Sequence, residues 1–364
     1  MFRTKLHLRR KRIPYAAHMT TSSIAVTDGT SQNTITDVST HPVEPFLSAS
    51  QRYTVYPVEH HDIWQAYKKQ LASFWTPEEV DFSKDREQWV SKLNDDERWF
   101  LRSILAFFAA SDSVVSLNLM DNFCREVNVI EAQVAYTYQA MMENVHAEVY
   151  SIMIDTYVQD AAEKHAMFND MGNLSSVRAK VAWAQRWSLV ADAPFVTRLV
   201  AFTIVEGLFF SGAFCAIYWI KQRNLLPGLT KSNEFIARDE GQHTEFACII
   251  YRKLQASRMS QTNVHSMFRE AVIVEKDFIN EAIPCRLIGM NAALMAQYIE
   301  YVADGILVML GYDKLYDSQN PFSFMELIGM NARSNFFEER VSLYQRADVL
   351  NVDGARPSLY NDEF

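Results

Sequence analysis

Two short stretches, MENVH at Met142–His146 and DEGQH at Asp239–His243, carry the strongest structural signal in the sequence. Each holds a glutamate followed three residues later by a histidine, and the chain contains no other such pair. On an α-helix this spacing places both side chains on one face, one turn apart. One pair alone is more often a surface ion pair or chance spacing than a metal site. Two pairs match a helical bundle in which two further helices each add an inward carboxylate, so that two metal ions are bound.

The composition favours a helical protein. Of 364 residues, 49% are hydrophobic and 22% are charged, which is ordinary for a globular protein with a large core. No proline occurs between Pro77 and Pro194 or between Pro227 and Pro284. Such long proline-free spans are typical of helices and unlike a turn-rich β fold. We therefore expect an all-α protein.

Charge and cysteine content exclude several functional classes. The formal net charge of -9 argues against non-specific nucleic-acid binding. The four cysteines have no Cys-x-x-Cys spacing and are expected to be reduced core residues of a cytoplasmic protein: Cys124, Cys215, Cys248 and Cys285. The most apolar run, 207–220, is too short for a membrane span, and no secretory signal is evident. No membrane association is therefore expected.

The ends of the chain differ from its middle. Residues 1–45 combine a basic start with a Ser/Thr-rich stretch that has no apolar period, which predicts a disordered arm. The arm is either an organellar transit peptide or a dispensable extension before Met19. Residues 46–347 are predicted to form the folded domain, in which the aromatic side chains of 51–85 pack onto the body. Residues 348–364 lose all periodicity and predict a flexible tail.

The helices of the body bring further carboxylates into apolar surroundings. Helices are predicted from Asp95 or Asp96 to 115, at 130–160, from Pro194 to Pro227, at 232–254, at 264–281 and at 290–310. Asp112 and Glu206 each stand alone on an apolar helix, where an uncompensated carboxylate costs several kcal/mol. For either residue alone, a buried ion pair is the more common explanation. Together with the two Glu-x-x-His pairs they complete a predicted ligand set: Asp112, Glu143, His146, Glu206, Glu240 and His243.

The donor types restrict the metal and suggest its use. Four carboxylates and two imidazoles without thiolates suit iron or manganese better than zinc or copper(I). Two redox-active ions of this kind indicate dioxygen chemistry. Tyr150 follows His146 by four residues on the same helix face and is either a core residue or an oxidisable phenol beside the metals. Phe210, Phe214 and Ile236 are placed to keep water from that phenol, although all three also suit an ordinary core.

Several longer motifs resemble one known family. They are HDIW at 61–64, SFWT at 73–76, AFFAASD at 106–112, MENVH with Tyr150, VEGLFFSG at 205–212, RDEGQH at 238–243 and NFFE at 335–338. Over residues 51–346 and the extreme C-terminus, the chain resembles the small, radical-generating subunit of class I ribonucleoside-diphosphate reductase in its eukaryotic form. The resemblance implies a ferritin-like helical bundle with a buried diiron site.

The resemblance also implies roles for individual residues. The six predicted ligands would bind two iron ions, and Tyr150 would become a tyrosyl radical when the reduced site reacts with dioxygen. Trp75, Asp239 and Tyr344 match residues that transfer the radical, and the acidic tail ending in Phe364 matches the peptide that docks on the large catalytic subunit. A second tail tyrosine, Tyr360, leaves the relay assignment to Tyr344 open. A homodimer is implied, and ribonucleoside diphosphates would be reduced on the large subunit.

Two other functional classes share part of this sequence pattern. A ferroxidase or iron-storage bundle needs the same ligands but has no use for Tyr150, Trp75, Tyr344 or a Phe-ended acidic tail. A non-catalytic regulatory paralogue would have a damaged ligand set or would lack the radical tyrosine, and the sequence shows neither. The choice between iron and manganese stays open because both metals accept these ligands.

Overall fold

Helices account for all regular secondary structure in the computed structural model, which describes residues 44–47, 52–188, 193–282 and 290–325. These residues all belong to one compact unit, His41–Phe364. The helices are α1 (His61–Ala72), α2 (Ser83–Ser91), α3 (Asp95–Asn118), α4 (Cys124–Glu126), α5 (Ile130–Tyr157), α6 (Ala161–Asn173), α7 (Ser175–Ser188), α8 (Phe195–Gly207), α9 (Ser211–Gln222), α10 (Pro227–Lys253), α11 (Gln261–Ala282) and α12 (Ala292–Leu310). The expectation of an all-α protein is confirmed.

Four long helices build the centre of the molecule. Helix α3 packs along α5, α8 packs along α10, and α5 and α10 also contact each other. Each of the two Glu-x-x-His pairs lies on a long helix, α5 with 28 residues and α10 with 27. The pairs face the interior because the remaining positions of the same helix faces are apolar and buried. Asp112 belongs to α3, but its side chain lies outside the described residues.

The structure corrects two predicted helix boundaries. The single helix expected from Pro194 to Pro227 is two helices, α8 and α9, separated by a three-residue turn at 208–210. Pro227 was expected to mark the end of that segment, but it opens α10, five residues before the predicted start at 232. Proline is tolerated in the first turn of a helix as well as beyond its end, so its presence alone does not distinguish the two positions.

Asp85 of α2 fixes where α10 begins. Its Oδ1 accepts a hydrogen bond from the Gly228 amide at 2.9 Å, and its Oδ2 accepts from the Leu229 amide at 2.7 Å. The Tyr157 hydroxyl donates to the same Oδ2 at 2.7 Å. First-turn amides of a helix have no partner within the helix, so a carboxylate from another element satisfies them. This contact fixes the start of the helix that carries Asp239, Glu240 and His243.

The segment before the first core helix differs in part from the expectation. It contains α1, which was not predicted and which packs on α5 and α10. Trp75 is 1% exposed and packs into the body as expected, whereas Tyr53 and Tyr56 are 99% and 70% exposed. The expectation that the aromatic side chains of this segment pack inward is therefore wrong for these two tyrosines.

Among the described residues, two helical stretches are long and apolar enough to span a bilayer, by length and composition alone: Phe195–Gln222 and Ala292–Leu310. The first combines α8 and α9, and most of its apolar part is buried within the molecule, as expected for core helices. Three of the four cysteines fall in the described part of the chain: Cys124, Cys215 and Cys248. Cys215 and Cys248 are buried, which agrees with their expected role in the core.

Candidate metal centre

Three helices bring a compact group of metal-binding side chains into the core. Glu143 comes from α5, Glu206 from α8, and Glu240 and His243 from α10. One ligand atom from each of the four residues lies within 4.8 Å of the others, and none of the four is more than 2% exposed. The structure therefore brings together four of the six predicted ligands in an arrangement that can hold a metal ion.

His146 borders this group from the α5 side. Its Nδ1 atom lies 3.0 Å from Glu240 Oε1 and 3.6 Å from Glu143 Oε2. Its Nε2 atom faces away, 3.2 Å from Asp239 Oδ2. A metal-binding histidine commonly donates its second ring N–H to a carboxylate, which fixes its tautomer and orientation. His146 has this arrangement, with Nδ1 directed at the cluster and Nε2 at Asp239.

The centre contains polar atoms that protein groups leave unsatisfied. Within the described residues, five buried atoms make no hydrogen bond although they lie close to charged groups: Glu143 Oε1, His146 Nδ1, both carboxylate oxygens of Glu206, and Glu240 Oε1. Buried charges without partners cost several kcal/mol each, so such a group calls for compensation. A bound cation supplies it, and the oxygen and imidazole donors suit iron or manganese.

Electrostatics within the centre are strongly coupled. Burial raises the pKa of Glu206 well above its usual value, and the neighbouring Glu240 carboxylate adds to the increase. Burial also opposes the charge on Glu240, but Glu206 and His243 hold its pKa well below the usual value. Burial opposes protonation of His243, yet the surrounding carboxylates raise its pKa well above normal. Acids and imidazoles thus share protons here, and metal binding would displace them.

A hydrogen-bonded path leads from the centre to a buried indole. The Trp75 Nε1–H donates to Asp239 Oδ2 at 2.7 Å, and the same oxygen accepts from His146. The Trp75 and His146 rings are stacked at 6.1 Å between centroids. Arg238 donates to the other oxygen, Asp239 Oδ1, at 3.0 Å. The structure thus connects Trp75, Asp239 and His146 by hydrogen bonds and adds Arg238, which was not identified from the sequence.

Tyr150 lies in an aromatic environment on the same face of α5. It is 2% exposed, and its ring stacks on Phe108 of α3 with centroids 5.2 Å apart. Phe108 also contacts Phe210 at 5.6 Å and Phe214 at 5.0 Å. The sequence predicted that Phe210 and Phe214 surround the phenol but missed Phe108. The AFFAASD motif contains this residue, but only the packing of α3 on α5 shows which of its two phenylalanines meets Tyr150.

Four predicted features lie wholly or almost wholly outside the described residues. The Asp112 side chain, Tyr344 and the tail at 348–364 all lie outside the described residues. The predicted arm at 1–45 lies outside as well, except for Glu44 and Pro45. Their assigned roles stay predictions.

A family model described as ribonucleotide reductase, small chain, matches residues 52–321. The chain belongs to this family. The match includes both Glu-x-x-His pairs, Glu206, Tyr150 and Trp75, so the resemblance proposed from the motifs is confirmed.

Relatives of the small chain occur in diverse eukaryotes. The ribonucleoside-diphosphate reductase small chain of Neurospora crassa is 51% identical over 309 residues, which cover 85% of this chain and 75% of that protein. The small chain of Nicotiana tabacum is 48% identical over 326 residues, 88% of this chain and 98% of that one. This small chain is therefore a subunit of ribonucleoside-diphosphate reductase, an oxidoreductase.

A solved structure supports the fold. The Rnr4 homodimer of ribonucleotide reductase from Saccharomyces cerevisiae matches with a TM-score of 0.73 and 36% identity. The match covers 83% of this chain and 93% of that one. The ferritin-like helical bundle expected from the sequence is thus confirmed.

Proposed function

We propose that this small chain forms a tyrosyl radical on Tyr150 and delivers the oxidising equivalent to the large subunit. The observation that supports this best is the buried Glu/His centre with unsatisfied atoms, one helical turn from a buried tyrosine. Storage of an oxidising equivalent needs both a metal site and an oxidisable side chain shielded from water. Helix α5 carries both on one face.

Six residues would hold the metal: Asp112, Glu143, His146, Glu206, Glu240 and His243. Two iron ions, or manganese in their place, would supply the oxidising power for the phenol when the reduced site meets dioxygen. The chain's own contribution is to fix the donors and to keep the site dry. His146 is oriented by Asp239, and Glu206 and Glu240 provide buried carboxylate oxygens directed at the centre.

The surroundings of Tyr150 suit a long-lived radical. Phe108 covers one face of its ring, and Phe210 and Phe214 pack behind Phe108. A phenoxyl radical decays through reductants and protons that reach it from solvent, so close apolar packing extends its lifetime.

The path for the oxidising equivalent begins at the metal-binding histidine. His146, Asp239 and Trp75 form a continuous contact chain through one carboxylate oxygen. Asp239 is placed to hold or move a proton between the imidazole and the indole as an electron passes. Tyr344 would continue the relay towards the large subunit.

Assembly completes the proposed activity. The acidic tail that ends at Phe364 would dock on the large catalytic subunit, where ribonucleoside diphosphates are reduced to deoxyribonucleoside diphosphates. The Saccharomyces cerevisiae relative is a homodimer by its description, which supports a homodimer here. A cytoplasmic location stays a prediction, as does the origin of the basic arm.

The decisive experiment compares wild type with Tyr150→Phe. Apoprotein is loaded with Fe(II), exposed to dioxygen and studied by EPR spectroscopy. Wild type is expected to give a tyrosyl signal that the variant lacks, while both bind the same amount of iron. A tyrosyl signal that persists in the variant would refute the assignment to Tyr150. Iron oxidation without a radical in either protein would favour a ferroxidase.

A further inference from the structure

A buried ion pair outside the predicted ligand set connects α7 and α11. Lys180 of α7 and Glu275 of α11 are 2% and 0% exposed, and Lys180 Nζ lies 2.5 Å from Glu275 Oε2. The ammonium also lies over the rings of Phe278 and Phe107, at 3.6 and 4.3 Å from their centroids. A buried ion pair in apolar surroundings seldom stabilises a protein more than well-packed apolar residues would. We therefore ask which parts of the backbone the two charged groups hold in place.

The lysine contacts the turn that separates α8 from α9. Lys180 Nζ donates a hydrogen bond to the Phe209 carbonyl oxygen at 2.7 Å. Phe209 is the middle residue of that turn, directly beyond the C-terminal end of α8. This carbonyl lies two residues beyond Gly207, the last residue of α8, and directly before Phe210, the N-cap of α9. Lys180 gives the buried carbonyl a charge-assisted hydrogen bond, which ties the turn to α7.

The glutamate contacts the other side of the same turn. Glu275 lies against the first turn of α9, where its Oε1 would be only 2.8 Å from a Cβ atom at Gly212. The positive end of the α9 dipole favours a carboxylate at this place. Burial raises the pKa of Glu275 to about 7, although Lys180 and the Gly212 amide oppose the increase. The pair thus contacts the turn at the Phe209 carbonyl and the first turn of α9 at Gly212.

The turn connects two parts of the proposed centre. Glu206 is the second-to-last residue of α8, and its carboxylate belongs to the metal-binding group. Phe210 is the last residue of the turn, and its ring packs on Phe108, which stacks on Tyr150. A shift of the turn would therefore move a proposed ligand and part of the tyrosine's shield together.

We propose that Lys180 and Glu275 are positioning residues that hold the α8–α9 turn and thereby fix the Glu206 carboxylate and the Phe210 ring. The consequence for metal and radical rests on the proposed function, whereas the effect on the turn does not. Neither residue is a ligand, so both act through the backbone of 208–212.

The test uses the full-length chain and three variants. Lys180→Met leaves Glu275 buried without its cation, and Lys180→Met/Glu275→Gln removes both charges while keeping an amide oxygen near Gly212. Arg52→Met is the matched control, because it removes the cation that pairs with another fully buried carboxylate, Glu131, away from the turn. Three quantities are measured: hydrogen exchange of the 207–211 amides in apoprotein, Mn(II) affinity by calorimetry, and the half-life of the EPR tyrosyl signal.

The double variant is expected to fold, because a neutral pair leaves no buried charge uncompensated. It should nevertheless exchange the 207–211 amides faster, bind Mn(II) about tenfold more weakly and lose the radical sooner than wild type. The Arg52→Met control should lose thermal stability without these three changes. Exchange and Mn(II) affinity equal to wild type in the double variant would overturn the inference. A wild type that binds no metal would overturn the proposed function instead, and the exchange data would still decide the role of the pair.

Discussion

Asp239 receives hydrogen bonds on both carboxylate oxygens, and this makes Trp75 the most informative residue to change. Its indole N–H donates to the oxygen that also faces His146. Trp75→Phe keeps a buried aromatic ring but removes the donor, so transfer to the large subunit should fall by about 100-fold. The measurement is reductase activity with the large subunit, normalised to bound metal. Trp89→Phe is the control, since Trp89 is also buried but stacks on Tyr157, away from the centre. Equal activity of the two variants would exclude Trp75 from the path.

Phe108 is the aromatic side chain that stacks directly on Tyr150. Phe108→Ala removes the ring that stacks on Tyr150 and leaves a cavity between α3 and α5. The free energy of unfolding should fall by ~3 kcal/mol, as for other buried phenylalanines. The tyrosyl signal should also decay faster, because solvent gains access to the phenol. Urea denaturation and time-resolved EPR measure the two effects. Phe168→Ala, at an exposed phenylalanine, should change neither, and an unchanged decay in Phe108→Ala would contradict the shielding role.

Residue chemistry explains why the centre was visible in the sequence while Phe108, which stacks on Tyr150, was not. Glu143 and His146, and likewise Glu240 and His243, are one helical turn apart, so local spacing alone places them on a common face. Glu206 was conspicuous as a charge in an apolar helix. Phe108, by contrast, is one of two adjacent phenylalanines on an apolar helix. Which of them meets Tyr150 depends on the packing of α3 on α5, and no local pattern records that packing.

At the scale of elements, Glu131 in the first turn of α5 binds the coil segment 52–60 that precedes α1. It accepts hydrogen bonds from Arg52 at 2.5 Å and from the Glu59 amide at 2.9 Å. Burial opposes the charge of Glu131, but Arg52 and the Glu59 and His60 amides lower its pKa to about 2 from 4.5. A lowered pKa in the folded state adds stability that is complete above pH 4.5 and disappears as the pH falls towards 2.

Glu131→Gln should therefore destabilise the protein in a pH-dependent way. At pH 7 the free energy of unfolding should fall by ~2 kcal/mol, because the neutral amide loses the charge-assisted contacts. The difference between wild type and variant should shrink steadily below pH 4.5. Urea denaturation at several pH values measures it. A difference that stays constant from pH 7 to pH 3 would show that the Glu131 charge contributes nothing to folding.

The break between α8 and α9 shows what sequence patterns miss at this scale. The segment from Val205 to Phe214 is almost uniformly apolar and contains no proline, so it predicts one continuous helix. Its only local signals are Gly207 and Gly212, and an isolated glycine is tolerated within a helix. The groups that contact both helix ends, Lys180 and Glu275, come from α7 and α11. The break therefore depends on tertiary contacts.

At the scale of the whole molecule, the centre links metal binding to stability. The proposed ligands lie on α5, α8 and α10, and α3 would add Asp112, so a bound metal would join the main helices of the bundle. Without a cation, these helices hold several like charges and unsatisfied oxygens close together in the core. A ligand that binds only the folded state stabilises it by about 2.7 kcal/mol at 100 times its dissociation constant.

Metal loading should therefore raise the melting temperature of the whole protein. Apoprotein and protein saturated anaerobically with Mn(II) are compared by scanning calorimetry, and for a chain of this size 2.7 kcal/mol corresponds to an increase of roughly 4 °C. Glu206→Gln replaces a carboxyl group whose pKa is raised well above its usual value, so its apoprotein should be at least as stable as wild type while its gain on loading is smaller. Because α5 and α10 contribute ligands from different parts of the chain, the increase should appear in a single cooperative transition. Equal melting temperatures with and without Mn(II) would mean that the centre binds no metal under these conditions. Bound protons alone would then compensate the charge of the buried carboxylates.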